Sequence, residues 1–226
     1  GAVYRGKLAG TMGDLGAFST YVAHIITTVE GGVVLADNPE HAEILRSLRS
    51  HGRACTCRTC IQNTSDNAVR CRKRFSTPGV EDIRFTFPRI GYSAKMNELE
   101  AAIGLANLDQ YDRIVAIRHA NLRYLLDRFD AFAPYLVTFR EEPWECIGPH
   151  AFPIIVGNAA SFTRGELITH LAEHRIDSRT LFASMPTQCP GFAFLGHRLG
   201  DFPAAEWLAD RGIHIGIHHD LTTAHM

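Results

Sequence analysis

Cys55-Thr56-Cys57-Arg58-Thr59-Cys60 places three thiols in one short segment, and Cys71 adds a fourth after residues 61–70. Thiolates crowded in this way repel one another unless a metal ion or disulfide bonds neutralise them. Four thiolates suit Zn²⁺ or an iron–sulfur cluster. Structural zinc favours a gap of about two to four residues between paired cysteines, and the Cys55–Cys57 gap is shorter. Close pairs of thiolates could instead serve the two irons of a [2Fe–2S] unit. Arg53, Arg58, Arg70, Arg72, Lys73 and Arg74 flank the cysteines; positive charge there offsets thiolates and lowers thiol pKa values. By spacing alone, zinc, iron–sulfur and free buried thiols all stay open. Cys146 and Cys189 are isolated, as ordinary core cysteines are.

The second stretch with chemistry in it is Ser19-Thr20-Tyr21-Val22-Ala23-His24, which leads into Glu30-Gly31-Gly32. A histidine between Ala23 and Ile25 is ordinarily a packing residue. Without further context His24 is read as one.

Residues 17–21 are short and apolar-aromatic, which predicts a buried strand, and Gly31-Gly32-Val33-Val34-Leu35-Ala36 predicts a second. His24 falls between them. Asn38-Pro39-Glu40 opens a helix, with Asn38 as N-cap and proline in the first position. Ala42, Ile44, Leu45 and Leu48 continue it at helical spacing, and Gly52 is a natural stop. The cysteines come next, within residues 53–90, which lack sustained periodicity. A compact domain seldom carries a loop this long without a function or an internal staple, and the cysteines can supply the staple.

Asn97 and Glu100 have capping-box spacing. Ala101, Ala102, Leu105, Leu108, Ile114, Ile117, Leu122 and Leu125 then predict one long helix to about Phe129, or two with a break near residues 109–112. Residues 135–139 and 151–156 read as strands. Thr163-Arg164-Gly165-Glu166 caps a helix running to about His174. Residues 203–211 form a short helix closed by Gly212, and residues 213–217 a last strand. The alternation argues an α/β fold.

The chain has 226 residues, 46% hydrophobic and 21% charged, with a formal net charge of −1, so it has the charge balance of neither a nucleic-acid-binding tail nor an anionic-membrane patch. Neither nucleic acid nor membrane is expected as a partner. Lysine is confined to Lys7, Lys73 and Lys95. No apolar run reaches the ~18–20 residues that span a bilayer, and no signal-peptide pattern opens the chain. The expected compartment is the cytoplasm, where disulfides are disfavoured and clustered cysteines tend to hold metal. Gly1 opens a loop-like segment and the sequence stops soon after a strand-like run, so a piece of a longer protein is expected.

Residues 13–32 resemble the active-site stretch of the DegT/DnrJ-type sugar aminotransferases, which depend on pyridoxal phosphate (PLP). The matching residues are Gly13-Asp14, Phe18-Ser19 and Thr27-Thr28-Val29-Glu30-Gly31-Gly32. Further matches are Leu45-Arg46, His51-Gly52, Gly91-Tyr92-Ser93-Ala94-Lys95-Met96-Asn97-Glu98-Leu99 and Ala101-Ala102-Ile103-Gly104-Leu105-Ala106, with looser ones at Arg179-Thr180-Leu181-Phe182 and residues 218–221. The resemblance implies fold type I of the PLP-dependent transferases: the C-terminal portion of the large domain over residues 1–110, with a cysteine-rich insertion at 53–90, and most of the small α/β domain over 111–226.

At the family's Schiff-base lysine this chain has His24. Histidine cannot form a stable Schiff base, so the exchange ends ordinary transamination but leaves a base in place. A subgroup of the family is similar in this respect: sugar 3-dehydratases, which hold the cofactor as pyridoxamine phosphate (PMP). The branch acting on CDP-4-keto-6-deoxy-D-glucose also carries a [2Fe–2S] cluster, which Cys55, Cys57, Cys60 and Cys71 resemble in arrangement. The resemblance implies Ser19 as a phosphate-binding hydroxyl, His24 as the catalytic base, Ser93 where the family has a cofactor-binding asparagine, and Lys95 as a contact for an anionic substrate. It implies a nucleotide-sugar substrate, a separate flavin/iron–sulfur reductase and a homodimer with shared sites. Two alternatives stand beside it: a sugar-nucleotide aminotransferase-family member, and a catalytically silent relative stapled by zinc.

Overall fold

The computed structural model describes residues 1–61, 71–76, 78–79, 82–181 and 185–226. In chain order the regular elements are β1 (Val3–Tyr4), β2 (Lys7–Leu8), β3 (Leu15–Ser19), β4 (Gly32–Ala36), α1 (Pro39–Arg49), α2 (Glu98–Leu108), α3 (Tyr111–Phe129), β5 (Leu136–Val137), β6 (Glu145–Cys146), β7 (Ala151–Val156), α4 (Arg164–Glu173), β8 (Ser178–Thr180), α5 (Pro203–Arg211) and β9 (Gly212–Gly216). They divide into two compact units. One is Lys7–Leu108; the other is Asp109–Met226 together with Gly1–Gly6. The first six residues join the second unit because β1 pairs with β6, Val3 opposite Cys146 and Tyr4 opposite Glu145.

In the Lys7–Leu108 unit, β3 and β4 form an antiparallel ribbon with Leu15 opposite Ala36 and Ser19 opposite Gly32. The strand expected at residues 17–21 is therefore shifted, and along it only Gly16 is buried. Leu15 and Phe18 of β3 and Val33, Val34 and Leu35 of β4 are exposed in this chain. α1 begins as the sequence requires: Asn38 Oδ1 accepts the Glu40 backbone N–H at 2.8 Å, with Pro39 in the first turn. α2 opens on a reciprocal cap, Glu100 N–H to Asn97 Oδ1 and Asn97 N–H to Glu100 Oε2. Of residues 53–90, the only regular piece among those described is a 3₁₀ turn at Arg72–Phe75.

The helical pattern running on to Phe129 resolves into α2 and α3, with Asp109 and Gln110 between them. In the second unit, β5, β7, β9 and β8 make a four-stranded antiparallel sheet in that order. Phe152 sits opposite Ile215 and Ile154 opposite Ile213, so these four share one face. Phe152, Ile154 and Ile213 pack with Leu122 and Phe129 of α3, and Leu167, Ile168 and Leu171 of α4 close over them. α4 carries a complete capping box between Thr163 and Glu166.

Candidate functional site: a histidine loop and a cysteine loop

Ser19 and His24 are carried by the ribbon and its connection, residues 20–31. The ends of that connection are tied by Thr20 N–H to Gly31 O (3.0 Å) and Thr28 N–H to Thr20 O (2.9 Å). Thr28, only 5% exposed, is its keystone. Its hydroxyl donates to Glu30 O at 2.7 Å and shares a 2.6 Å hydrogen bond with Thr20 Oγ1. There is no spare room around it: a Cβ on Gly104 of α2 would lie 2.6 Å from the Thr28 methyl. Gly31, at φ +143°, takes a backbone conformation open to glycine, and a Cβ there would lie 2.9 Å from Met96 Cε.

His24 is half-buried at the tip of this loop. Its N–H donates to Tyr21 O at 3.0 Å, and its ring meets Tyr21 edge-on with centroids 5.9 Å apart. Ser19 Oγ accepts the Tyr21 N–H at 3.3 Å, which leaves its own O–H proton for another acceptor.

Ser93 and Lys95 come from a segment laced to the end of α1. Tyr92 N–H donates to Leu48 O, His51 N–H to Tyr92 O and Ala94 N–H to Arg49 O, and Ser50 bridges Ser93. Gly52, at φ +77°, permits the crossing: a Cβ on Gly91 would collide with Gly52 N. Lys95 Nζ lies 3.3 Å from His51 Nε2, a partner that residue spacing alone does not foretell. The same segment packs on the histidine loop through Met96, the residue after Lys95.

The cysteine loop leaves from this crossing, with Ala54 N–H bonded to Thr86 O at 2.8 Å. Arg46 Nε and Ser47 Oγ of α1 hold its backbone by donating to Thr56 O (2.7 Å) and Arg53 O (2.6 Å). Burial pushes the Cys55 thiol pKa up. The Cys57 backbone opposes that push, whereas charge on Cys57 and Cys60 adds to it. Cys55, Cys57 and Cys60 thus share one electrostatic neighbourhood. Cys71 stands at the head of the 3₁₀ turn. The four sulfurs do not close into one tight set: the one trio of ligating side chains within 4.8 Å among the described residues is His218, His219 and Asp220.

Asp82 anchors the basic side of the loop, with Arg74 Nε at 2.6 Å and Arg84 Nη2 at 2.9 Å. Those guanidiniums hold its carboxyl far below the ordinary carboxylate range, and Arg84 is raised in turn, chiefly by Asp82 and also by Cys55 and Cys60. Arg70 and Phe182, both singled out in the sequence, lie outside the described residues. The isolated Cys146 is not a plain core thiol, for its sulfur lies 3.6 Å from His119 Nε2.

An imidazole thus stands on a well-fixed loop between β3 and β4. The DegT/DnrJ/EryC1/StrS aminotransferase family model matches residues 1–226, and the chain belongs to that family. It carries the C-terminal portion of the large domain and most of the small α/β domain.

The chain is 34% identical over 237 residues to the lipopolysaccharide biosynthesis protein RfbH of Salmonella typhimurium, covering 100% of this chain and 52% of that protein. It is 34% identical over 228 residues to the dTDP-4-dehydro-2,6-dideoxy-D-glucose 3-dehydratase of Saccharopolyspora spinosa, covering 98% and 48%. It superposes on the solved E. coli GDP-4-keto-6-deoxy-D-mannose-3-dehydratase with bound hydrated PLP at TM-score 0.73 and 26% identity, covering 97% and 54%. The chain thus spans about half the length of these relatives. Among the described residues, no helix is long and apolar enough to cross a membrane.

Proposed function

We propose that the complete protein dehydrates a nucleotide-linked 4-keto-6-deoxyhexose at C3 in deoxysugar biosynthesis, with His24 as the base where the family has lysine. The observation that carries this reading is the half-buried His24 on a loop fixed at both ends by Thr20, Thr28 and Gly31. The relatives support it: one similar protein is a 3-dehydratase of a dTDP-linked sugar, and a solved neighbour of similar name binds PLP.

The residues present fit PMP or PLP. Ser19 keeps an O–H to donate to a phosphate oxygen, and Ser93 and Lys95 lie on the adjoining segment for phosphate or an anionic substrate. When bound, the cofactor supplies the electron sink that allows a hydroxyl to leave from the neighbouring carbon. His24 would serve as the group that takes up and returns the proton. Exchange of lysine for imidazole keeps a base of suitable strength while removing the amine that transamination needs.

The cysteine loop fits a metal by the chemistry of its donors, three thiols in one electrostatic neighbourhood with Arg84 close by. A tetrahedral zinc site would draw every sulfur pair to about 3.8 Å. A two-iron cluster divides its thiolates between metals, and the resemblance of Cys55, Cys57, Cys60 and Cys71 to the cluster-bearing branch of the family favours it. Cys55, Cys57, Cys60 and Cys71 would hold such a [2Fe–2S] cluster, which would supply single electrons received from a separate flavin/iron–sulfur reductase. A homodimer belongs to the same reading.

The test is His24→Lys and His24→Asn in the full-length protein, assayed for dehydration with PMP and nucleotide sugar. A loss of about 10²–10⁴-fold is expected in both, with PMP still bound by the asparagine variant. Undiminished dehydration, or an amino-sugar product from the unaltered protein, defeats the reading. Iron and acid-labile sulfide measured on anaerobically purified protein test the cluster separately; zinc in their place removes electron transfer.

A further inference from the structure

We propose that His218, His219 and Asp220 bind a divalent transition-metal ion of the zinc type, at a site separate from the cysteine loop. One ring nitrogen from each histidine and one Asp220 carboxylate oxygen lie within 4.8 Å of one another. His218 Nδ1 and Asp220 Oδ2 are already 3.4 Å apart. Ligands about 2.0–2.1 Å from a tetrahedral zinc are separated by about 3.3 Å, so this edge has the right length once the Asp220 backbone N–H, which His218 Nδ1 accepts at 3.3 Å, gives way to the ion. The two imidazoles lie 3.9 Å apart between centroids, and a side-chain rotation brings the third ligand in.

The turn that presents these groups is fixed from beneath. Asn121 of α3, 2% exposed, donates from Nδ2 to His218 O at 3.1 Å and to Leu221 O at 3.0 Å. Leu221 N–H also bonds His218 O. A buried amide thus spends both of its donors on this turn, which is how a ligand set is preorganised before the ion arrives. His219 Nδ1 is buried with no hydrogen-bond partner. An orphaned buried ring nitrogen is an unmet cost that a ligand can remove.

Burial, with the positive charge of His218, Arg118 and Arg113, keeps His219 below the ordinary imidazole range, against the pull of Asp220. The side chains of His218 and Asp220 are open to solvent, which leaves an entry path and free coordination positions.

Charge works partly against the site. Arg118 is 4% exposed, and its Nη1 donates to His150 O at 3.0 Å. Its guanidinium and that of Arg113 repel a cation, and the single Asp220 carboxylate offsets only part of this. The ion must therefore be one that bonds imidazole nitrogen well, such as Zn²⁺, Ni²⁺ or Cu²⁺, and Mg²⁺ and Ca²⁺, which take oxygen ligands, are excluded.

The experiment uses the full chain with Zn²⁺ as probe. Histidines are carbethoxylated with diethyl pyrocarbonate and read peptide by peptide, so zinc held by thiols does not enter the result. With zinc in excess over the six cysteines, labelling of the His218–His219 peptide slows about tenfold, while exposed His197 labels as before. Mg²⁺ gives no protection. Asp220→Asn raises the zinc concentration needed by about tenfold; His218→Gln does the same for protection of His219. Labelling of His218 and His219 unchanged by zinc overturns the site, as does protection that survives both substitutions undiminished.

Discussion

The two units of this chain are held together by different forces. Asp109–Met226 has a contiguous apolar core, with Leu122, Phe129, Phe152, Ile154, Ile213 and Ile217 at its centre. Among the described residues of Lys7–Leu108 the buried side chains are Thr28 and Ser47, while Leu15, Val33, Val34 and Leu105 are exposed. Order there comes from hydroxyl–backbone hydrogen bonds and from backbones that approach where glycine allows. Every residue proposed for catalysis or cluster binding belongs to this second kind of structure. Apolar burial is strong but has no direction, whereas a hydrogen bond fixes angle and distance. A loop that must aim an imidazole is better served by the latter.

The largest expected effect tests the apolar side of that contrast. Phe152→Ala removes a fully buried ring that meets Phe129 edge-on at 5.0 Å between centroids. Its cost is about 3–5 kcal/mol by urea denaturation. Val34→Ala, on the exposed ribbon, should cost under about 1 kcal/mol in the same chain. Comparable losses from both would dissolve the distinction.

Gly91→Ala comes next and tests the backbone side. The added methyl would run into Gly52 N and the His51 carbonyl carbon, and neither is a flexible side chain that can swing away. The segment must lift from α1 and give up the hydrogen bonds at Tyr92 and Ala94. A cost of about 2–3 kcal/mol follows, with faster hydrogen exchange at Tyr92 and Ala94 as the local readout. Slow exchange retained at both would show that the crossing tolerates a side chain.

The same division explains what could be read from the sequence. The caps at Asn38, Asn97 and Thr163 are local, made by residues a few positions apart, and each forms as its spacing requires. β7 is legible because residues 151–156 form one apolar run. β8 is not, since Ser178-Arg179-Thr180 has no apolar signature and becomes a strand only by pairing with residues 213–215. β1 and β6 fail for the same reason, being two-residue pairings between distant parts of the chain. His24, Ser19 and the cysteines were visible by residue type and resemblance. What holds them was not: Thr28 looks like any loop threonine until Gly104 and Thr20 close around it.

Thr28→Val sharpens the comparison most finely, because it alters hydrogen bonding and leaves the methyl contact alone. Valine keeps the methyl that rests beside Gly104, and its second methyl takes the place of the hydroxyl and must shift off the two oxygens it bonded. The Thr28 hydroxyl is lost, and with it the bonds to Glu30 O and Thr20 Oγ1. Glu30 is exposed and water can replace its partner, whereas Thr20 is half-buried and is served less well. The net cost should be about 1–2 kcal/mol, small enough for the protein to stay folded. Thr28→Ser keeps the hydroxyl but drops the methyl that rests against Gly104. If hydrogen bonds aim the loop, exchange at residues 20–31 quickens in the valine variant and not in the serine variant, and His24-dependent turnover of the full-length protein follows the same order. The reverse order would mean that the methyl contact, and so ordinary packing, positions the histidine.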